Sequence, residues 1–305
     1  MNHPEELILV TGATGKQGGG VARALLAHGR RVRILTRSPA GSAARALIQL
    51  GAEVVIGDLG DPSSVEAAMQ STTGVFSMQP IDGAFDGTEQ RFANALIQAA
   101  TKAKVRHFVH SSVAATNRHT RFPRWGTGYW TEQYWIDKWT IEESVRHSSL
   151  PSWTILRPAF VMSNFSQPTA SFMFPHLKEG KIITAFKVDT RLDLVAPEDI
   201  GAFARAAFGD PAKFNRQSID LAAESLTMSE VADALRAATH KNVVTVHVSP
   251  DDAVKAGLFK GWVNSQEWSN EEGYRVNIEA VKAHGLPLTS FARWALAHRS
   301  DIVIG

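Results

Sequence analysis

A glycine-rich turn near the start of the chain constrains the fold more than any other feature. Three glycines at three-residue spacing follow an apolar run at residues 7–11 and precede a segment with helical periodicity at residues 19–28. In a strand–turn–helix of this kind, the first glycine permits the tight turn, the second lets the backbone approach a pyrophosphate, and the third lets the helix pack closely on the strand. The N–H groups at the helix N-terminus attract the phosphates. The turn therefore predicts a dinucleotide-binding site. The expected contacts are Gly12, Thr14, Gly15, Gln17 and Gly18.

Apolar, β-branched runs alternate with segments of helical periodicity as far as Pro158. This alternation is typical of βαβ units and a parallel sheet. The runs are nearly continuous in apolar residues, as expected for strands covered by helices on both faces. With right-handed crossovers, the pattern predicts an α/β fold with a doubly wound parallel sheet, the NAD(P)-binding Rossmann fold. The predicted strands cover residues 7–11, 32–36, 53–57, 74–78, 107–111 and 153–156, and the predicted helices cover residues 19–28, 43–50, 62–69, 88–103 and 131–147.

The regular alternation ends at Pro158. Residues 160–187 are rich in Phe, Pro and Ser and predict a loop with a short helix. Thr227 with Glu230 three residues on forms a capping box, which predicts a helix start. Later strands are expected at residues 193–195, 218–221 and 243–248, and later helices at residues 197–208 and 227–239. The expected domains are a Rossmann domain over residues 1–158 with a returning segment at about 184–222, and a smaller, mostly helical lobe formed by residues 159–183 and 223–305.

Composition and charge exclude several classes of function. The formal net charge is +2 on 305 residues, so nucleic acid is not expected as a partner. The chain has no cysteine, which excludes disulfides, thiolate nucleophiles and cysteine-ligated metals, and we predict no metal site. We find neither an apolar stretch of membrane-spanning length nor a signal-peptide pattern, so we expect a cytoplasmic protein without a membrane partner.

The residues after the second and third strands bear on the type of dinucleotide. An NAD site usually places Asp or Glu after the second strand, where the carboxylate accepts hydrogen bonds from the ribose hydroxyls. Arg37 stands there instead, and its guanidinium can bind a 2′-phosphate through two hydrogen bonds. Asp58, after the third strand, is placed to meet the adenine amino group. The sequence therefore predicts NADP(H). Two alternatives stay open: Arg37 can be a solvated loop residue, and Asp58 can be a turn-forming residue.

A tyrosine and a lysine lie on one face of the helix that follows the fifth strand. Tyr134 and Lys138 are separated by four residues, so their side chains are neighbours on the helix. A Tyr hydroxyl can protonate a developing alkoxide, and a nearby ammonium favours the phenolate and can also bind ribose hydroxyls. Ser111 and Ser112 end the fifth strand, and either hydroxyl can bind a substrate carbonyl. We predict these four residues as catalytic candidates.

Several motifs together resemble the atypical short-chain dehydrogenases/reductases. Besides the glycine turn, they are Thr36-Arg37, Gly57-Asp58, Lys138, Leu156-Arg157-Pro158 and Val195-x-Pro197-x-Asp199-Ile200-Gly201. Among those proteins the chain is most similar to the NmrA-like group, which includes fungal nitrogen regulators, an animal NADPH sensor, and bacterial quinone, azo-dye and triphenylmethane reductases. The resemblance implies a preference for NADP and a small C-terminal lobe. By position it implies cofactor contacts at Gly12, Gly15, Gly18, Arg37, Asp58 and Lys138, with Gln79 and Phe160 near the nicotinamide.

Two functions fit the sequence. The first is an NADPH-dependent reductase that acts on a small, aromatic or quinone-like acceptor. The second is a non-catalytic NADP(H)-sensing regulator that acts through protein partners, since cofactor binding can change the affinity for a partner. Many NmrA-like proteins lack the Tyr of the Tyr-x-x-x-Lys pair. Tyr134 therefore favours the reductase, in which a small molecule is the expected substrate.

Overall fold

The computed structural model describes residues 6–80 and 85–305. Its first half contains the predicted alternation of strands and helices. The elements there are β1 (Leu7–Val10), α1 (Lys16–Leu26), β2 (Arg31–Thr36), α2 (Ser42–Gln49), β3 (Glu53–Ile56), α3 (Pro62–Met69), β4 (Gly74–Ser77), α4 (Thr88–Lys102), β5 (His107–Ser111), α5 (Glu132–Arg146) and β6 (Trp153–Pro158). The remaining elements are β7 (Phe160–Val161), α6 (Thr169–Met173), β8 (Lys181–Thr184), β9 (Leu192–Val195), α7 (Pro197–Gly209), α8 (Pro211–Phe214), β10 (Gln217–Leu221), β11 (Glu224–Leu226), α9 (Met228–Thr239), β12 (Val244–His247), α10 (Pro250–Lys255), α11 (Lys260–Glu271), α12 (Ile278–Lys282) and α13 (Phe291–Ala297).

The central sheet has seven strands in the order β10-β6-β5-β4-β1-β2-β3. Strands β1 to β6 pair in parallel throughout. The prediction of a doubly wound Rossmann fold is therefore confirmed. The strand order reverses between β1 and β4, and in sheets of this type ligands bind outside the carboxyl ends of the strands at that reversal. The residues that follow β1, β4 and β5 are therefore the candidates for a ligand-binding site.

Helices cover both faces of this sheet. On one face, a core formed by the sheet and by α3, α4 and α5 includes Leu9, Val65, Leu96, Phe108 and Val145. On the other face, α1 and α7 pack against each other through two glycines. A Cβ atom at Gly20 would lie 2.4 Å from the Pro197 carbonyl oxygen, and one at Gly201 would lie 2.6 Å from the Gly20 carbonyl oxygen. These distances leave no room for a side chain at either position.

The chain divides into two compact units, each built from three segments. The first unit contains residues up to 116, 133–157 and 197–219, and the second contains residues 117–132, 158–196 and 220–305. The sequence had suggested that residues 117–132 and 184–196 belong with the Rossmann domain. Both segments make their contacts in the second unit instead, because β9 pairs with β7 and β11, and because Arg118 donates hydrogen bonds to the carbonyls of Gly273 and Tyr274.

The second unit contains two small sheets and an aromatic core. Strands β11, β9 and β7 form one sheet, and β12 pairs with β8 in the other. The core is rich in aromatic side chains, such as those of Phe160, Phe165, Phe174 and Trp262. Residues 160–187, predicted as a loop with a short helix, also contain β7 and β8. The predicted capping box is present, because the Thr227 side chain accepts from the Glu230 N–H and the Glu230 side chain accepts from the Thr227 N–H.

Among the described residues, no helix has the length and apolar character needed to cross a membrane. Residues 6–80 and 85–305 also contain no group of three or more His, Asp or Glu side chains arranged to hold a metal ion.

Candidate cofactor and active site

The glycine turn has a geometry that only glycine permits at two of its positions. Gly12 has a φ of +64°, and a Cβ atom there would lie 2.7 Å from the Met78 sulfur. A Cβ atom at Gly18 would lie 2.4 Å from the Gly12 carbonyl oxygen. The first glycine therefore permits the turn after β1, and the third lets α1 pack directly on it. Both roles agree with those predicted from the spacing.

Gly15 is different, because the protein itself does not require a glycine there. Its backbone is extended, with φ −91° and ψ −177°, and an added Cβ would meet only the Gly12 carbonyl oxygen, at 3.3 Å. Gly15 is the N-cap of α1, whose N-terminus has no side-chain cap and no acidic residue in its first turn. The first-turn N–H groups of a helix lack intrahelical partners and attract anions. The space at Gly15 and these N–H groups together fit a pyrophosphate.

The ends of β1 and β4 are joined at this turn. The Thr11 hydroxyl donates to the Met78 carbonyl at 2.9 Å and accepts from the Met78 N–H at 2.8 Å. The next residue, Gln79, is 2% exposed, and its Nε2 donates to the Ser77 hydroxyl at 2.8 Å. Its Oε1 is buried and has no hydrogen-bond partner among the described residues. A buried acceptor of this kind calls for a donor, and the carboxamide N–H of a nicotinamide is a suitable one.

Ser111 and Ser112, the two serine candidates, differ in their surroundings. The Ser111 hydroxyl donates to Oε1 of Gln17 at 2.8 Å, which ties the end of β5 to α1. Because side chains alternate along a strand, His110 and Ser112 face the opposite side of the sheet from Ser111. On that side, the His110 ring lies 3.4 Å from the Ser77 hydroxyl and interacts electrostatically with Lys138 and Glu142 in α5. Of the two serines, Ser112 therefore faces the α5 side of the sheet, which carries Tyr134 and Lys138.

Lys138 and Tyr134 lie together on α5, with the Lys138 Nζ 5.7 Å from the centre of the Tyr134 ring. The structure adds a partner that the sequence analysis did not identify. The Lys138 ammonium forms a buried ion pair with Glu89 in the first turn of α4, and both side chains are 7% exposed. Next to it, the Gln90 Nε2 donates to the Asp137 Oδ1 at 2.6 Å. Two adjacent polar contacts thus join α4 to α5 beside Tyr134.

A second buried pair lies one turn further along α5. The Glu142 carboxylate accepts hydrogen bonds from the Arg157 side chain, at 2.9 Å from Nε and 2.7 Å from Nη2. Burial alone would raise the pKa of Glu142, but its hydrogen bonds and the charge of Arg157 hold that pKa below its usual range. His110 lies on the same side of the sheet, and burial lowers its pKa to about 4. Glu142 and Arg157 therefore tie α5 to β6 as a charged pair, while His110 is neutral at pH 7.

The structure brings Arg37 and Asp58 together at the ends of β2 and β3. The Arg37 Nη1 lies 3.5 Å from the Asp58 Oδ2, and the Arg37 side chain is 80% exposed. Asp58 also accepts a hydrogen bond from the Gly60 N–H at 2.7 Å, as a turn-forming Asp does. The turn role left open for Asp58 is therefore present, and its side chain orients Arg37 as well.

Phe160 lies in the second unit. Its ring stacks on Trp262 with centroids 5.4 Å apart and an angle of 26° between the planes, and 5% of the residue is exposed. It also packs edge-on against Phe165 and Phe174. These contacts make Phe160 part of an aromatic core, and its expected place near the nicotinamide stays a prediction.

All of the predicted site residues except Phe160 lie in the first unit. Direct contacts join Gln17 to Ser111, Arg37 to Asp58, and Lys138 to the Tyr134 ring. Two predicted residues also contact residues that were not predicted. Gln79 donates a hydrogen bond to Ser77, and Lys138 forms an ion pair with Glu89. The sequence carries no local signal for Glu89, because its contact with Lys138, like the neighbouring contact of Gln90 with Asp137, depends on how α4 packs against α5.

A glycine turn opening α1 at the strand-order reversal defines a dinucleotide-binding Rossmann protein. Comparison with known proteins then identifies its family. The NmrA-like family matches residues 4–286. An NAD(P)H azoreductase from Xenophilus azovorans is 30% identical over 96% of this chain and 98% of its own length. An NmrA-like oxidoreductase from Malbranchea aurantiaca is 26% identical over 76% of this chain and 73% of its own. The chain belongs to the NmrA-like family.

Solved structures share the fold over nearly the whole chain. NmrA, a negative transcriptional regulator solved in complex with NADP, has a TM-score of 0.76 with 20% identity and covers 96% of this chain and 95% of its own. An NADPH-dependent quinone oxidoreductase from Escherichia coli has a TM-score of 0.75 with 21% identity and covers 96% and 99%. At these identities the likeness shows a common fold.

Proposed function

We propose that this member of the NmrA-like family is an NADPH-dependent oxidoreductase that reduces a small aromatic or quinone-like acceptor. The observation that carries the proposal is the set of polar groups at one edge of the seven-stranded sheet. There the uncapped N-terminus of α1, the unpartnered Oε1 of Gln79 and the Tyr134–Lys138 pair lie in one unit. The first two fit a dinucleotide, and the third fits a proton donor beside a cation.

The cofactor is NADP(H), held by residues that follow successive strands. The backbone at Gly15 and the N–H groups that open α1 hold the pyrophosphate. Arg37, oriented by Asp58, binds the 2′-phosphate. Gln79 accepts from the carboxamide, and Lys138 donates to the ribose hydroxyls. The choice of a nicotinamide dinucleotide is supported by the azoreductase relative, which uses NAD(P)H by its name, and by the NmrA structure of the same fold, which was solved with NADP.

The chemistry divides between the cofactor and the chain. Bound NADPH supplies a hydride, which carries two electrons to the acceptor. A proton is needed as well, and Tyr134 holds it on its hydroxyl group beside the Lys138 ammonium. Of the two serines, Ser112 is the one proposed to bind the acceptor oxygen, because it faces the α5 side of the sheet, where it also lies within hydrogen-bond reach of Glu142. Lys138 therefore acts as a cofactor ligand, and Tyr134 and Ser112 face the acceptor.

The names of the relatives support the proposed class of acceptor. The azoreductase acts on an azo compound by its name, and the quinone oxidoreductase of the same fold acts on a quinone. Both classes are planar, conjugated and reducible by two electrons. We therefore place the acceptor of this chain in the same chemical group.

The test has two stages. Purified protein is first titrated with NADPH and with NADH, and tighter binding of NADPH is expected. Nicotinamide absorbance is then followed with a panel of quinones, azo dyes and aldehydes, and turnover is expected with a quinone or an azo dye. Tight NADPH binding without turnover on any acceptor would replace this proposal by that of a non-catalytic NADP(H) sensor. Turnover limited to aldehydes would overturn the proposed acceptor class.

A further inference from the structure

Glu89 and Lys138 form a buried ion pair beside Tyr134. Both side chains are 7% exposed, and Glu89 lies in the first turn of α4. A carboxylate is favourable at a helix N-terminus, where the backbone dipole presents positive charge. A buried ammonium, in contrast, requires a partner. Glu89 thus holds the Lys138 side chain in one place.

Lys138, one member of this pair, is positioned to act on both Tyr134 and the ribose of the proposed cofactor. Lys138 Nζ lies 5.7 Å from the centre of the Tyr134 ring, so its charge acts directly on the phenol. An ammonium has three N–H donors, and one contact with Glu89 leaves donors for ribose hydroxyls. The opposite charge of Glu89 offsets that of Lys138 beside the phenol. Without this offset, the ammonium would stabilise the phenolate and weaken Tyr134 as a proton donor at high pH.

We infer that Glu89 is a positioning residue that holds the Lys138 ammonium for the cofactor ribose and offsets its charge beside Tyr134. This inference rests on the proposed function. Other ionisable groups also face this region, and none of them is altered in the test. They are Asp137, Glu142 and Arg146 from α5, His110 from β5 and Arg157 from β6.

The first readout is cofactor affinity. Glu89→Gln keeps the size and the acceptor oxygen but removes the charge, so Lys138 is held less firmly. The dissociation constants of NADPH and of NADH are expected to rise by the same factor, about tenfold, because both carry the ribose that Lys138 binds and one charge-assisted hydrogen bond is weakened. The NADPH-to-NADH preference stays unchanged, since Arg37 is untouched.

The second readout is the pH dependence of turnover. In Glu89→Gln the uncompensated ammonium favours the phenolate, so the alkaline limb of the pH–rate profile is expected to move to lower pH by about one unit. Glu89→Asp keeps the charge and should leave this limb near its wild-type position. A purely structural role for Glu89 would lower thermal stability without moving the limb.

The matched control is Gln90→Ala, which breaks the neighbouring contact between α4 and α5 and leaves Glu89 and Lys138 in place. Its cofactor affinity and alkaline limb are expected to match those of the wild type. Equal changes in Gln90→Ala and Glu89→Gln would overturn the inference, as would wild-type values for both readouts in Glu89→Gln. If the wild-type protein itself binds no NADPH, the proposed function fails, and that outcome is distinct from a failure confined to the Glu89 variants.

Discussion

Arg37 is the residue on which the cofactor preference depends. Its guanidinium is exposed and is oriented by Asp58 at 3.5 Å, so it is accessible to a 2′-phosphate at the ends of β2 and β3. Arg37→Glu replaces the phosphate ligand with a repelling charge. The dissociation constant of NADPH should rise at least tenfold, a loss of about 1.4 kcal/mol or more, while that of NADH changes little. Fluorescence titration with both cofactors measures the two constants, and an equal loss for both would remove Arg37 from this role.

Tyr134 is the residue assigned to proton transfer. Tyr134→Phe removes the hydroxyl and keeps the ring that packs on Trp135 at 5.2 Å. Turnover should fall by about a hundredfold or more, as expected for the loss of a general acid, while the dissociation constant of NADPH stays within about twofold. Stopped-flow measurement of the hydride step separates the two effects. Full turnover in this variant would place the proton donor elsewhere.

At the same scale, local motifs were predictable and long-range partners were not. The glycine turn and the Thr227–Glu230 capping box each depend on a few neighbouring residues, and their geometry matches the prediction. The Glu89–Lys138 pair joins residues 49 positions apart on different helices. Which residue of α4 meets Lys138 depends on the packing of two helices on the sheet, and no local pattern specifies this.

Elements with strong periodicity were also predicted well. Helix α5 spans Glu132–Arg146 against a prediction of residues 131–147, and β12 spans Val244–His247 against residues 243–248. Strands β7, β8 and β11 were missed. Strand β7 has two residues, and β8 has four and pairs only with β12, about 60 residues later in the chain. Such short strands gain their stability from a distant partner, so their own residues carry little periodic signal.

The packing of α1 on α7 gives a prediction about stability. A Cβ atom at Gly201 would lie 2.6 Å from the Gly20 carbonyl oxygen, so Gly201→Ala must push the two helices apart. We expect a loss of about 1–3 kcal/mol in the free energy of unfolding, as for other overpacked cores. The control is Gly209→Ala at the end of the same helix, where the nearest atom would be 4.0 Å away. Urea denaturation compares the two, and equal stability would show that the helices adjust without cost.

For the whole molecule, two buried histidines on β5 predict a sensitivity to mild acid. Burial lowers the pKa of His107 and of His110 to about 4. An unfolded histidine titrates near pH 6.5, so between pH 6.5 and 4 only the unfolded chain takes up these protons. Stability is therefore fully present above pH 6.5 and falls as the pH drops through this range. In this range each histidine lowers the free energy of unfolding by about 1.4 kcal/mol for each unit by which the pH falls.

His110→Asn tests this dependence, because it removes one of the two groups. The slope of unfolding free energy against pH, measured by urea denaturation between pH 4.5 and 6, should fall by about 1.4 kcal/mol per unit. Above pH 7 the variant and the wild type should show parallel curves, since both histidines are then neutral in the folded and unfolded chains. Parallel curves below pH 6 as well would contradict the assignment of His110.

The pairing of α1 with α7 also sets an order of events during synthesis. Helix α1 leaves the ribosome well before α7, and the surface that Gly20 presents is covered only when α7, residues Pro197–Gly209, has been added. Until then, the surface of the first βα unit on which α7 packs is exposed to solvent. The unit that carries the glycine turn is therefore made well before the helix that covers it. A nascent chain that stalls before residue 197 presents that face to chaperones or to other unfinished chains.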